Sequence, residues 1–318
     1  GAEVLTRTAC TGVRRVDGAW TAELTNRETG EKRTLRARVV VNAGGPWVKD
    51  IAGRVAGSNS PRNVRLVKGS HIIVPKFWEG SQAYLVQNDD KRVIFINPYE
   101  GDKALIGTTD IPYEGRPEDV TADESEIAYL LDVVNRYFKE QLRREDIVHA
   151  FSGVRPLFDD GKGNPSAVTR DYTFDLDETD GVPLLNVFGG KITTFRKLAE
   201  HAVEKIEGYF PGMAGSWTSG APLPGGEIPN ADFVTFTERL REAYPWMPRR
   251  LMRHYARLYG ARTHILVGDA GSVSGLGRHF GGDLYECEAA YLRETEWARR
   301  PADFLDRRTK HGLHLTPA

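Results

Sequence analysis

The chain is poor in cysteine, with only Cys10 and Cys287 in 318 residues. Two cysteines cannot build a disulfide framework, and this pair has no zinc-ligand spacing. A reducing, intracellular compartment is the default expectation. Charge of either sign is not in surplus: 43 Lys and Arg stand against 44 Asp and Glu, a formal net charge of -1. That balance argues against nucleic acid as a bulk electrostatic partner, which usually needs a net basic surface. No apolar run approaches the roughly 18 residues of a membrane span, and Val39–Val41 stops at Asn42. Gly1 through Thr8 contains no apolar core of a secretory signal. HExxH, Walker A, G-x-S-x-G and G-x-G-x-x-G patterns are all missing, and Gly275-Leu276-Gly277 has neither a third glycine nor a preceding strand. Zincin, P-loop and α/β-hydrolase chemistry therefore have no support.

What is present reads as a folded chain. Hydrophobic residues at 40% and charged residues at 27% lie near the globular norm. At about 100–200 residues per domain, the length predicts roughly two domains. Residues 1–50 read as β, with strands near Val4–Val16, Trp20–Leu24 and Thr34–Asn42 and a hairpin loop carrying Asn26 and Gly30. The last strand breaks at Gly44-Gly45-Pro46 before Trp47–Val55 at helical spacing. Short strands at Arg65–Val74, Ala83–Gln87, Arg92–Asn97 and Ala104–Thr108 predict an antiparallel sheet in a separate lobe. Thr121-x-x-Glu124 fits a capping box, opening a helix with Ile127, Leu130, Leu131, Val134 and Phe138 on one face. Strands return at Ile147–Val154, Ala167–Asp175 and Leu184–Val187, and Phe195 to Phe210 carries a helical stripe. The Pro/Gly join Ala221–Gly226 marks a boundary, beyond which Phe233–Tyr244, Arg249–Tyr259, Leu284–Glu294 and Pro301–Arg308 read as helices.

The local feature with most chemical content is the strand–turn–helix from Val187 to Thr194. Gly189 and Gly190 let backbone approach a ligand, and the helix after Lys191, Ile192 and Thr193 points unpaired N–H groups at an anion. From the spacing alone, a plain strand–helix connection with Thr193 or Thr194 as N-cap is the favoured reading, because Gly-Gly before a helix is a weak signal. Arg155, before Pro156, and Arg170, at the end of a strand, would form a cationic pocket with Lys191 if their strand ends meet. Arginine suits phosphate or carboxylate through its bidentate fork. The alternative for Arg170 is surface pairing with Asp171 or Asp175. His71 and Asp110 are candidate bases, although a histidine followed by two isoleucines is commonly a hydrogen-bonded core residue.

Taken together, these motifs resemble the FAD-dependent, quinone-linked glycerol-3-phosphate dehydrogenases. The stretches that carry the resemblance are Val41–Val48, Arg65–Ile72, Ile106–Asp110, Phe151–Leu157, Thr169–Thr173, Phe188–His201 and Leu223–Gly226, in order along the whole chain. The resemblance implies an α/β (α+β), D-amino-acid-oxidase-like fold. Its parts would be a partial FAD-binding domain over 1–60, an antiparallel substrate lobe over 61–150, a return to the FAD domain over 151–216, and a helical domain over 217–318. It implies hydride transfer from C2 of sn-glycerol 3-phosphate to FAD, giving dihydroxyacetone phosphate, with electrons passed to a membrane quinone. Arg155 would be catalytic and bind substrate beside Arg170 and Lys191. Asn42, Ala43, Gly44, Trp47, Gly189, Gly190, Lys191, Ile192 and Thr193 would contact FAD, and Cys10 would lie near the adenine. The resemblance further implies a cytoplasmic protein, peripheral at the inner face of the cytoplasmic membrane, and a homodimer.

Two departures from the family pattern are visible. Gly44 stands where relatives have alanine, and the Gly-rich segment that holds the ADP half of FAD is not among these residues. The chain is thus expected to be a C-terminal fragment, its first sheet lacking an opening strand and its end slightly short. Rival readings are another flavin oxidase of the same fold, acting on an amino or 2-hydroxy acid, and a catalytically silent fragment used in assembly. Arg249, Arg250, Arg253 and Arg257, with Trp246, Met247 and Leu251 nearby, read either as a membrane-surface helix or as a solvated face.

Overall fold

The computed structural model describes residues 2–54, 58, 60, 62–159 and 171–315. The chain forms two compact units, Gly1–Ser216 and Trp217–Ala318.

The first unit opens with an antiparallel sheet of β1 (Thr8–Val16), β2 (Ala19–Asn26) and β3 (Lys32–Ala37). The hairpin loop forms as its residues suggest: the Asn26 side chain accepts from the backbone of Glu28 and Thr29, and Gly30 takes a φ of 75°. The single strand expected over Thr34–Asn42 is two. β3 ends at Ala37, and β4 (Val40–Asn42) joins a different sheet, parallel to β12 (Leu184–Gly189), which also pairs with β11 (Tyr172–Asp177). The break falls at Arg38, whose guanidinium lies 4.3 Å from the Phe210 ring centre and donates to the Tyr209 carbonyl. From Leu184 to Phe188 every residue of β12 is buried, the mark of a strand covered on both faces, with Asn186 the one polar residue of the run. Trp20, fully buried, ties the two sheets by donating to the Pro183 carbonyl at 2.7 Å. Because β4 and β12 are parallel, both end at the same edge, where one turns into α1 (Val48–Arg54) and the other toward α3 (Phe195–Ile206).

A larger antiparallel sheet runs in the order β10 (His149–Phe158), β5 (Val64–Pro75), β8 (Lys103–Gly107), β7 (Val93–Tyr99), β6 (Tyr84–Gln87), with β9 (Ile111–Pro112) added to β5. β10 pairs with β5 along its whole length, so a division at 150/151 falls inside one strand. The strand also runs on through Arg155 and Pro156 instead of ending there. Proline is tolerated because β10 is an edge strand, where a missing N–H breaks no second ladder. α2 (Glu124–Tyr137) covers one face, packing Ile127, Leu130, Val133 and Val134 on Ile72, Val74, Ile94, Ile96 and Ile106.

The capping box of α2 sits two residues later than expected. Asp123 is the N-cap, its carboxylate accepting from the Glu126 N–H at 3.0 Å, while Glu126 accepts from the Asp123 N–H at 3.2 Å. Glu126, 1% exposed, is also pinned by Lys68 at 2.7 Å, Ser70 at 2.8 Å and Thr109 at 2.6 Å. Burial works against the Lys68 ammonium, but its bonds to Glu126 and Asp123 outweigh it and hold the pKa above the usual lysine value.

The second unit is helical around one core, with α4 (Phe233–Ala243), α5 (Arg249–Tyr259), α6 (Thr263–Val267) and α7 (Glu286–Thr295). A small hairpin, β13 (His279–Gly281) with β14 (Leu284–Tyr285), occupies the start of the last-but-one expected helix. The segment after Pro301 closes as a π-helical turn, Asp303–Arg308. Met247 and Leu251, which one of the two readings places beside the arginines of α5 on a membrane-facing surface, are core residues at 4% and 2% exposure. The apolar side of α5 is therefore filled by its own unit, while Arg249, Arg250, Arg253 and Arg257 face outward.

Candidate active site

Side chains directly opposite in a sheet share a face. One such row crosses five strands: Leu85, Phe95, Gly107, His71 and Phe151. It lies on the face away from α2, and Leu85, Phe95 and Phe151 are exposed. Gly107 leaves a gap in the row that the His71 ring fills, since a Cβ there would stand 2.2 Å from His71 Cδ2. His71 stacks on Phe151 with ring centres 5.2 Å apart and planes 7° from parallel. It is half-buried on the open face, not a core histidine.

Arg155 projects on the same face from the edge strand. In the neighbouring row Gly153 faces Gly69, and the Arg155 guanidinium lies across Gly69, where a Cβ would come within 2.5 Å of Nη2. Nη1 donates to Asp110 Oδ1 at 2.7 Å and Nη2 to Thr108 Oγ1 at 3.0 Å. Asp110, a candidate base from sequence, is thus the counter-ion that holds Arg155. Burial first, and the nearby Arg155 charge second, push the His71 pKa below the usual histidine value, keeping the ring neutral near pH 7. The cluster combines a guanidinium fixed in a fork, a hydroxyl and a neutral imidazole. The roles of Thr108, Gly69 and Gly107 have no sequence signal beyond the motifs in which they stand, because each role depends on a partner from another strand.

The other predicted residues gather at the ends of β4 and β12. Asn42, 3% exposed, spends its amide N–H groups on the Val48 carbonyl and Asn186 Oδ1, both at 2.8 Å, and accepts from the Gly44 N–H at 3.3 Å. It braces the turn from behind. Gly45 takes a φ of 54°, and Pro156, next to Arg155, lies 4.0 Å from its would-be Cβ, so this turn abuts β10. Gly44 is tighter than its family position suggested, for a Cβ would meet Ile51 Cδ1 at 2.3 Å. Ala43 and Trp47 are exposed, and the indole donates to Glu118 at 3.2 Å.

The second turn also abuts β10. Gly189 (φ 74°) would place a Cβ 2.7 Å from the Asp171 carbonyl and 3.3 Å from the Phe158 nitrogen, and Gly190 has a φ of 99°. Lys191, Ile192 and Thr193 are exposed, Ile192 at 86%. Thr194 occupies the N-cap position of α3, but its hydroxyl donates to the Lys191 carbonyl at 3.0 Å and caps no helix N–H. The first amides of that helix are left without a side-chain partner. The two glycine turns thus flank the Arg155–Phe158 end of β10. Arg170 lies outside the described residues. Cys10 is an exposed residue at a bulge in β1.

A family profile described as FAD dependent oxidoreductase matches residues 1–190. The chain is 68% identical over 318 residues to the D-erythritol 1-phosphate dehydrogenase of Brucella abortus, covering all of this chain and 63% of that protein. It is 51% identical over 316 residues to the aerobic glycerol-3-phosphate dehydrogenase of Escherichia coli, covering 99% of this chain and again 63% of the relative. The chain therefore spans less than two thirds of the length of these relatives. Among solved structures, the glycerol-3-phosphate dehydrogenase from Bacillus halodurans complexed with FAD superposes with a TM-score of 0.79 at 26% identity, over 96% of this chain and 60% of that one. With its mixed sheets, its two glycine turns at parallel strand ends and its helical C-terminal unit, the chain belongs to the FAD dependent oxidoreductases of the D-amino-acid-oxidase type, whose cofactor is FAD.

Proposed function

We propose that a protein containing this chain oxidises the secondary alcohol of a polyol monophosphate to a ketone, with sn-glycerol 3-phosphate giving dihydroxyacetone phosphate as the first reading. The observation that carries it is the Arg155 guanidinium, forked between Asp110 and Thr108 beside a neutral His71 on an open sheet face. The glycine turns fit a flavin: beside the half-buried glycines, Ala43, Trp47 and Lys191 to Thr193 are exposed, and α3 has no side-chain cap. Gly189 to Thr193, with Asn42, Ala43, Gly44 and Trp47, would hold that group, and when bound FAD supplies an acceptor for the hydride of the carbinol carbon.

This chain's residues do the rest. Arg155 holds the substrate oxygen on which negative charge develops, and Asp110 keeps the guanidinium from swinging away. His71, neutral and able to accept, takes the hydroxyl proton. Lys191, exposed and with its ammonium in no hydrogen bond or ion pair among the described residues, supplies a cation for the phosphate, together with Arg170. A second reading, a four-carbon substrate such as D-erythritol 1-phosphate, is favoured by the name of the 68% identical relative. Gly153 is consistent with it, since no atom lies within 4 Å of where its Cβ would stand beside Arg155. A membrane quinone as final electron acceptor, peripheral attachment to the inner face of the cytoplasmic membrane and a homodimer complete the reading and rest on the family resemblance. Among the described residues no helix is long and apolar enough to cross a membrane.

Steady-state rates of the full-length, FAD-loaded protein with an artificial electron acceptor test the substrate class. Lys191→Met and Arg170→Met should each raise KM for the phosphate ester while leaving weak turnover of the free polyol unchanged. Faster turnover of an amino or 2-hydroxy acid than of either phosphate would overturn the proposal.

A further inference from the structure

The helical unit contains a second cluster of ionisable groups, outside the residues matched by the family profile. Three separate elements bring it together: His254 from α5, Glu288 from the first turn of α7, and His311 from the turn after the π-helical segment. Glu288 is 0% exposed, and the His254 and His311 side chains are 14% and 7% exposed. One oxygen of Glu288, Oε1, is satisfied by His254 Nε2 at 2.7 Å and by the Tyr259 hydroxyl at 2.6 Å. The other, Oε2, makes no hydrogen bond, and neither does His311 Nε2, which stands 3.8 Å from it, at ion-pair distance but beyond hydrogen-bond reach. The two imidazoles face each other with ring centres 4.7 Å apart.

A buried carboxylate with one bare oxygen, opposite a buried imidazole with one bare nitrogen, is costly unless something lies between them. One ligand atom from each of the three side chains lies within 4.8 Å of the other two. Around a tetrahedral zinc with bonds of about 2.0–2.2 Å, ligand atoms stand about 3.3–3.5 Å apart, so small side-chain rotations suffice. Two imidazole nitrogens and one carboxylate oxygen are a donor set suited to zinc among the divalent ions.

We infer that His254, Glu288 and His311 form a divalent-metal site, zinc being the expected ion, that ties the C-terminal turn to α5 and α7. The site is structural in effect. It pins residues 309–313 to the helix pair, whereas the flavin chemistry belongs to residues of the first unit. The proposal stands independently of the substrate assigned above.

The test uses full-length protein with any affinity tag removed, dialysed against metal-free buffer. Zinc is then titrated in competition with a chromophoric chelator, with X-ray absorption at the zinc edge on the loaded wild type. About one tight equivalent per chain is expected, with nitrogen and oxygen neighbours including two imidazoles, and a melting transition raised by zinc. His311→Ala and Glu288→Gln should weaken zinc by more than the roughly 100-fold that loss of an outer-shell partner costs. No tight zinc in the wild type would overturn the proposal. So would sulfur or single-imidazole coordination in the absorption spectrum, which reads the wild type even if a variant fails to fold. A His311→Ala protein with native circular dichroism and unchanged zinc affinity would overturn it equally.

Discussion

At the scale of single residues, the account turns on the coupling of Arg155 to His71. The guanidinium charge helps to hold the imidazole pKa below its usual value, so protonation of His71 sets an acid limb in the rate profile. Activity is present above that pKa and is lost as pH falls through it. Arg155→Gln should lower kcat/KM by about 100-fold or more, as removal of an oxyanion-stabilising donor does. It should also move the acid limb upward toward pH 6.5, because the repelling charge is gone. His71→Gln should abolish the limb altogether. Full pH profiles of kcat/KM for the three proteins check both, and an acid limb unmoved in Arg155→Gln would separate the two residues. Arg155 itself was legible in the sequence, as an arginine fixed before a proline in a family motif. Its counter-ion was not. Asp110 lies 45 residues away and looks like any acid after a Thr-Thr pair, until the antiparallel pairing of β10, β5 and β8 brings it under the guanidinium.

At the scale of elements, glycines make room for the site and a buried ion network fixes the sheet beneath it. Gly69→Ala would push a methyl into the Arg155 guanidinium and Thr108 hydroxyl, at 2.5 and 2.6 Å. It should raise KM about tenfold, the loss of one charge-assisted hydrogen bond, while the pKa of the acid limb stays within a few tenths. Saturation kinetics across pH distinguish this from loss of the charge itself. Glu126→Gln removes the buried one of the two carboxylates on Lys68, leaving the exposed Asp123, and should cost about 3 kcal/mol of unfolding free energy, measured by urea denaturation. A cost below about 0.5 kcal/mol would assign the network no role in holding α2 to β5. Helix periodicity was readable because apolar spacing dictates it, as the limits of α5 illustrate. The capping box was misplaced because Thr121-x-x-Glu124 and Asp123-x-x-Glu126 both satisfy the pattern, and Lys68 selects the second by ion-pairing with Asp123 and Glu126. Likewise, nothing local in Thr34–Asn42 records that the chain changes sheets at Arg38.

At the scale of the whole molecule, the family was legible end to end because its motifs are short contiguous stretches, most of them at strand ends and turns. The second unit was legible only as helices: His254, Glu288 and His311 are separated by 34 and 23 positions and share no motif, so only packing unites them. The central claim is that a phosphorylated polyol delivers its hydride to flavin at the Arg155 site. The most direct measurement is the anaerobic visible spectrum of the full-length, FAD-loaded protein on addition of sn-glycerol 3-phosphate, D-erythritol 1-phosphate, glycerol or lactate. The account predicts bleaching of the flavin band by one or both phosphates, and at least about 100-fold slower bleaching in Arg155→Gln. Bleaching by lactate or glycerol but by neither phosphate, or at an unchanged rate in Arg155→Gln, would contradict it.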